Sequence, residues 1–411
     1  MKNFRKQIKI ISFFWFFSFT IPVFSQTVPY VILISFDGFR WDYPNKGITP
    51  NITFMKEHGS SAASFQPAFP SKTFPNHLSI ITGMYPAHHG IIFNIIDDPY
   101  THKKFTLRDS TQVNNSYWYK GEAFWETAKR QGIKTASYFW PGSSVDLQYR
   151  RPDYFKYYKK STPYENRIQK ISEWLQLPAE ERPHFLTLYF SAADDAGHRY
   201  GPNSVQTDSA IIKLDNTLGL LFDQLKSINM MDSVNIILVS DHGMTPISKD
   251  RVINVDKLLS GYKFKHSNSG PVMMIQPEKN DIEKVYEILK RNETHFTVYK
   301  REEMPEYFHF SDNPFIYDLI VVADLGWSAL TNKGIKWIER GAAKGNHGYD
   351  NHTMDMNGIF FAMGPSFKEN YRTGTINCVD VYPLLCKIFN IFPNPNIDGK
   401  LNRIAFILKD R

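Results

Sequence analysis

The chain has 411 residues, 42% hydrophobic and 22% charged, with a formal net charge of +7. That is the make-up of an ordinary globular protein, long enough for one large domain or two smaller ones. Four of the basic residues (Lys2, Arg5, Lys6 and Lys9) fall in the first 25 residues, which hold no acid, so the remainder carries a formal +3. A surplus that small gives no case for a stable nucleic-acid partner.

Residues 1–25 read as a secretory signal peptide. A basic start precedes an apolar run over 10–19, and Val23-Phe24-Ser25 offers small residues at the cleavage positions. The run is short of the ~20 residues that a spanning helix needs, so no membrane span is expected in the mature chain, 26–411. No cysteine lies near the cut for lipid attachment. The expected location is periplasmic or secreted, in a bacterial setting.

The first strand is the apolar run 31–36, and Asp37 follows it directly. A helix-like segment at 76–82 comes just after Thr73. A helical pattern over 121–131 leads into a strand at 134–140. A third apolar run, 185–190, is followed by Asp194 and His198. Over 206–226, Ile211, Leu214, Leu218, Leu221 and Leu225 recur at three- and four-residue spacing, an amphipathic helix. The strand 234–240 then ends at Asp241-His242. From about 246 to 340 the texture changes: short strands at 272–275, 296–298 and 318–323 and a helix at 281–291 predict a small α+β insertion with no obvious metal ligand. A strand at 358–363 and a helix at 379–390 close the chain. Strands alternating with helices predict an α/β fold, a mainly parallel sheet covered by helices on both faces.

Cys378 and Cys386 lie eight apart in an apolar segment. An exported protein allows a bridge between them, and two buried thiols satisfy the pattern equally.

Acids and histidines thus recur where buried strands run out, the place where open α/β sheets gather ligands. A lone Asp there is usually a turn former and a lone His usually a satisfied core residue. Together, Asp37, Asp194, His198, Asp241, His242 and His347 can hold two divalent cations if their strands are neighbours. Asp194 and His198 are four apart, on one face of a helical turn. Mixed carboxylate and imidazole donors suit Zn²⁺ best. Thr73 is the candidate nucleophile, at the start of a helix whose free N–H groups favour anions, and Ser71 is its local rival. A hydroxyl needs a base or a metal to become a good nucleophile.

Seven ordered motifs carry a resemblance. Phe36-Asp37-Gly38-Phe39-Arg40, Lys72-Thr73-Phe74-Pro75-Asn76-His77, Thr82-Gly83-Met84-Tyr85-Pro86 and His89-Gly90-Ile91-Ile92-Phe93-Asn94 are the first four. Asp194-x-x-Gly197-His198, Asp241-His242-Gly243-Met244 and His347-Gly348-Tyr349-Asp350-Asn351 complete them. The chain resembles the ectonucleotide pyrophosphatase/phosphodiesterase family of the alkaline phosphatase superfamily, over nearly the whole mature length. The resemblance implies an alkaline-phosphatase-like core and two Zn²⁺ per chain. One ion would be held by Asp37, Thr73, Asp241 and His242, the other by Asp194, His198 and His347. Thr73 would attack phosphorus, with Asn94 and the Phe74 N–H holding a nonbridging oxygen. Phe74 and Tyr189 would sandwich a base, with Tyr158 nearby.

One departure stands out. Ser191-Ala192-Ala193-Asp194-Asp195 replaces the Glu-Glu-Pro that relatives often carry before the aspartate, which makes Asp195 a rival ligand to Asp194. The expected activity is hydrolysis of nucleoside triphosphates or dinucleotide polyphosphates to nucleoside 5′-monophosphates. The alternative is a choline phospholipid or lysophospholipid headgroup phosphodiesterase. A sulfatase is disfavoured, because the region around Thr73 lacks that family's Cys/Ser-x-Pro-x-Arg signature.

Overall fold

The structure is a computed structural model that describes residues 28–341 and 343–410. The expected signal peptide lies outside the described residues. In chain order the first strands are β1 (Tyr30–Phe36), β2 (Gly59–Ala62), β3 (Thr135–Tyr138), β4 (Tyr154–Lys156), β5 (Phe185–Phe190) and β6 (Val234–Val239). Next, β7 (Phe264–Ser267), β8 (Val272–Pro277), β9 (Phe296–Lys300) and β10 (Leu319–Ala323) form a separate antiparallel sheet, ordered β7-β8-β10-β9. Finally β11 (Phe360–Met363) and β12 (Tyr371–Thr373) rejoin the first sheet, which reads β12-β2-β11-β6-β1-β5-β3-β4. Its pairings are parallel except where β11 meets β2 and β6. The sheet is therefore mixed and mostly parallel.

β1 shows why the sheet sits in the middle. Val31 and Leu33 belong to one apolar cluster and Ile32, Ile34 and Phe36 to the other, so both faces of the strand are buried. On the first face lie α2 (Thr73–Thr82), α3 (Phe124–Arg130) and α9 (Val381–Phe389); on the second lie α1 (Pro50–Glu57), α4 (Tyr164–Leu175) and α6 (Val205–Ser227). In α6 the spaced Ile211, Leu214, Leu218, Leu221 and Leu225 are all buried. Each such side chain contributes about 1.5–3 kcal/mol on leaving water, and Ser204 caps the helix by accepting from the Thr207 N–H. Three further helices are α5 (Ala192–Tyr200), α7 (Ile282–Arg291) and α8 (Asn332–Glu339). Among the described residues, no helix is long and apolar enough to cross a membrane.

Some expected elements grow, as the segment 76–82 does by opening at Thr73, and others shrink. The helix at 121–131 begins only at Phe124, and the one at 379–390 opens with a 3-10 turn, Cys378–Asp380, before Val381. Cys378 and Cys386 are both free and buried, so the bridge is absent. Burial pushes both thiols up to about 12, which leaves them protonated and inert.

Candidate active site

Register brings the acids together. Phe36 of β1 stands level with Phe190 of β5, and Ser35 with Val239 of β6. Asp37, the Ser191 that leads into α5, and Asp241 therefore leave three adjacent parallel strands at one edge. The junction is tight. Gly38 has a left-handed φ of +67°, and a Cβ there would lie 2.8 Å from Cα of Asp194, so only glycine permits this approach. The Asp194 N–H then donates to the Asp37 carbonyl at 3.1 Å.

Two donor groups form at this edge. Nε2 of His242 lies 3.3 Å from Oδ1 of Asp37, 3.1 Å from Oδ2 of Asp241 and 3.3 Å from Oγ1 of Thr73. Nε2 of His198 lies 3.3 Å from Oδ1 of Asp194 and 3.1 Å from Nε2 of His347, which is itself 3.6 Å from that carboxylate oxygen. The rings of His242 and His347 stack at 3.5 Å, joining the two groups.

The histidines are set as lone-pair donors. Nδ1 of His198, His242 and His347 each faces a backbone carbonyl, of Gly345, Gly243 and Ser71 respectively, at 2.7–2.9 Å. A carbonyl only accepts, so each Nδ1 carries the proton and each neutral Nε2 presents its lone pair. The carboxylates match. Oδ2 of Asp37 is held by the Tyr189 hydroxyl and Oδ1 of Asp241 by the Gly38 N–H. Their other oxygens, with Oδ1 of Asp194, are buried without a hydrogen-bond partner.

Buried orphan acceptors are costly; here Oδ1 of Asp37 and Oδ1 of Asp194 face imidazole nitrogens, and Oδ2 of Asp241 lies between Nε2 of His242 at 3.1 Å and Nδ1 of His77 at 3.3 Å. Four donors about 2.0–2.1 Å from one tetrahedral ion stand roughly 3.3 Å apart, which is the spacing seen. The donor set fits two divalent metals, and geometry alone picks out Asp37, Asp241 and His242, and Asp194, His242 and His347, as cation-ready groups. The electrostatics agree. Burial, with the charges of Asp241 and Asp194, raises the Asp37 carboxyl well above its ordinary value. Burial, then His242 and Lys72, hold the His347 imidazole far below its own. Each is a site short of positive charge or closed to a proton.

Thr73 opens α2 with its N–H groups at the metal edge. Ser71 is turned away, its hydroxyl donating to the Tyr349 carbonyl at 2.9 Å. Asp195 is also turned away: Lys160 lies 2.6 Å from its Oδ1 and Ser191 donates to its Oδ2. Asn94 accepts the Phe74 N–H on its Oδ1 at 3.1 Å, so the two expected oxyanion donors are paired with each other and a substrate oxygen must replace that bond.

Beside the acids opens a cavity of about 340 Å³, lined by Thr73, Phe74, Tyr158 and Tyr189 with Lys156 and Lys160 at its rim. The two tyrosines differ. Tyr189 is 9% exposed, with its hydroxyl tied to Asp37, whereas Tyr158 is 53% exposed. Both rings line the cavity with Phe74; Tyr158 stands edge-on to Tyr189 with ring centroids 6.0 Å apart, and the Tyr189 hydroxyl also braces a carboxylate.

Two further residues position the nucleophile and carry no signal of their own in the sequence. Asn76 donates from Nδ2 to the carbonyls of Ala68, Pro70 and Lys72 and accepts the Ala68 N–H, which pins the loop before Thr73. His77, fully buried, donates from Nδ1 to the Thr73 carbonyl at 2.8 Å and contacts Ser35 through Nε2.

A mostly parallel sheet with a two-metal donor set and a helix-end threonine at its carboxyl edge is the arrangement of a metal-dependent phosphoryl-transfer hydrolase. Comparison gives the family. The model for type I phosphodiesterase / nucleotide pyrophosphatase matches residues 31–350, and the chain belongs to this family of hydrolases. It is 37% identical over 366 residues to human ectonucleotide pyrophosphatase/phosphodiesterase family member 5, covering 89% of this chain and 75% of that protein. A bis(5′-adenosyl)-triphosphatase of Xenopus laevis is 36% identical over 94% of this chain and 83% of its own. Against human family member 1 the identity is 38%, but the chain spans only 42% of that protein's length. The solved structure of human family member 5 superposes with a TM-score of 0.87 at 36% identity, covering 93% of this chain and all of the other. That of an inactive threonine-to-alanine variant of the murine protein, in complex with AMP, gives 0.86 at 35% identity, with 93% of this chain and all of the other covered.

Proposed function

We propose that the chain is an exported, zinc-dependent enzyme that cleaves phosphodiester and pyrophosphate bonds of nucleotides. Its substrates are nucleoside triphosphates and dinucleotide polyphosphates, and its product is a nucleoside 5′-monophosphate. The observation that carries this reading is Oγ1 of Thr73 at 3.3 Å from Nε2 of His242, within a donor set of orphan carboxylate oxygens, beside a cavity with an exposed aromatic ring. The AMP held by the murine relative and the diadenosine triphosphate of the Xenopus enzyme's name support a nucleotide.

When bound, the two ions would make the Thr73 hydroxyl a better nucleophile and offset charge at the phosphate. The residues do the rest. Phe74 and Tyr189 sandwich the base with Tyr158 beside them, and Lys156 and Lys160 draw the anion to the mouth. Asn94 releases the Phe74 N–H so that both meet a nonbridging oxygen. Oγ1 of Thr73 attacks phosphorus and loses its proton as the bond to the leaving oxygen breaks. Water then attacks the same phosphorus, frees the nucleoside monophosphate and restores the threonine hydroxyl. The metal ligands are Asp37, Thr73, Asp241 and His242 on one side and Asp194, His198 and His347 on the other, with Asp195 outside both sets.

A choline headgroup is the second reading, because acids and aromatic rings line the cavity as well as Lys156 and Lys160; the nucleotides of the murine and Xenopus relatives favour the first. The test is acid quenching of zinc-loaded protein during turnover of a nucleoside triphosphate, followed by peptide mass analysis. A nucleotidyl adduct on Thr73 supports the reading. Full turnover by Thr73→Ala overturns it.

A further inference from the structure

Arg167, on α4, is 1% exposed, yet among the described residues it forms no ion pair. Its Nη1 donates to the Tyr189 carbonyl at 2.6 Å and its Nη2 to the Thr162 carbonyl at 3.1 Å, while Nε is buried with no hydrogen-bond partner. A guanidinium stays protonated inside a protein, so the charge is kept without a carboxylate to offset it. Aromatic rings stand in that place. The guanidinium carbon lies 4.9 Å from the ring centroid of Phe139, 4.7 Å from that of Tyr164 and 5.4 Å from that of Phe190. An apolar side chain would bury at less cost, so this charge needs a reason beyond packing.

Its contacts supply one. β5, β3 and β4 are consecutive in the sheet, and each carries an aromatic residue that lines the cavity beside the acids. These are Tyr189 in β5, Phe139 one residue past β3 and Tyr158 two residues past β4. β3 pairs with β5 as far as Tyr138 and Leu188. One residue on, Phe139 takes a left-handed φ of +72°, which a bulky side chain adopts only where its surroundings hold it. At the same level the Tyr189 carbonyl accepts from Arg167. The Phe139 ring stands edge-on to Tyr158 with centroids 5.3 Å apart, and Tyr158 edge-on to Tyr189 at 6.0 Å. Arg167 therefore meets the first ring of this row through its charge and the last through the backbone.

On the reading that this cavity takes a nucleotide base, we infer that Arg167 is a positioning residue for base recognition. It holds Phe139 and Tyr189, and through Phe139 the exposed Tyr158, in the arrangement that receives the base. Being buried, it acts through these rings and not on the substrate. The Tyr189 hydroxyl remains tied to Asp37, so the metal ligands keep their support when Arg167 is replaced.

The test measures KM and kcat for p-nitrophenyl TMP and for methyl p-nitrophenyl phosphate, which has the same leaving group and no base. The proteins are zinc-loaded wild type, Arg167→Met and Arg167→Lys. Arg167→Met should raise KM for p-nitrophenyl TMP about tenfold, the scale of one base–aromatic stack, with kcat, zinc content and the rate on the methyl diester within about twofold. Arg167→Lys keeps the charge over the rings but lacks the fork that spans two carbonyls. It should fall between the two, and it carries the comparison by itself should Arg167→Met not fold. In a Tyr158→Ala background Arg167→Met should add little, because the ring it sets is gone; a full second loss there overturns the proposal. An unchanged KM, or an equal loss on both diesters, overturns it as well. Wild type that cleaves the methyl diester as readily as p-nitrophenyl TMP would instead remove the base cavity of the proposed function and this role with it, so the two failures are distinct.

Discussion

Tyr189 donates its hydroxyl to Oδ2 of Asp37 across 2.5 Å, joining residues 152 positions apart. The bond fixes one oxygen of the carboxylate and leaves Oδ1 facing Nε2 of His242. A ligand held in this way is pre-oriented, and supports of this kind typically carry 10–100-fold in metal affinity. Tyr189→Phe should therefore weaken zinc retention about tenfold against a competing chelator. Because phenylalanine keeps the ring and removes only the hydroxyl, KM for nucleotides at saturating zinc should move far less. Zinc affinity unchanged in this variant would remove the Tyr189 hydroxyl as a brace of the Asp37 carboxylate.

Tyr158→Ala tests the other half of that division. A lost stack on a base is worth about 1–3 kcal/mol, so KM for a nucleotide substrate should rise about tenfold or more, with zinc content intact. Tyr158→Phe should restore it. Steady-state kinetics with zinc analysis on the same samples reads both.

The adjacent acids differ in orientation, and substitution should separate them. Asp194→Asn should lose about one equivalent of zinc and most activity, because Oδ1 of Asp194 faces both His198 and His347. Asp195→Asn, which breaks only contacts to Lys160 and Ser191, should keep both metals. An exposed ion pair of this kind contributes about 0–1 kcal/mol. Elemental analysis of the two variants decides.

The strands that carry the site were legible because β1, β5 and β6 are short apolar runs buried on both faces, a pattern that needs no partner to be seen. α4 was not legible. Its stretch Tyr164–Leu175 is polar on average, and its Arg167 is buried by donating to the carbonyls of Tyr189 and Thr162 and packing over the Phe139 and Phe190 rings. The edge strand β12 and its neighbour β2 were missed for a related reason: Gly-Ser-Ser-Ala carries no apolar alternation, and pairing with β11 and β12 makes it a strand. At the site, ligand types and spacing stand in the sequence. The roles of Tyr189, Asn76 and His77 do not, because each depends on a contact that exists only after the strands align.

His89 gives a stability test away from the metals. It is fully buried, with Nε2 donating to the Pro75 carbonyl and Nδ1 accepting the Ile91 N–H. A second proton would face that N–H, and burial lowers the imidazole from 6.5 to about 3. The unfolded chain takes up a proton below 6.5 and the folded one does not, so stability rises with pH across this window. It should fall as pH drops from 6.5 toward 3, by about 1.4 kcal/mol per unit at most from this group. His89→Gln should flatten that slope in urea titrations of the chelated protein, and an unchanged slope would remove His89 as its source.

The most direct test of the central claim is turnover of p-nitrophenyl TMP, p-nitrophenyl phosphorylcholine and p-nitrophenyl phosphate by zinc-loaded protein, with and without EDTA, alongside Thr73→Ala. Rapid, chelator-sensitive cleavage of p-nitrophenyl TMP above the other two is expected. Thr73→Ala should lower it on the order of 10⁴-fold or more, as loss of a nucleophile does. Preference for the choline ester, or undiminished turnover by Thr73→Ala, would contradict a threonine-based nucleotide phosphodiesterase.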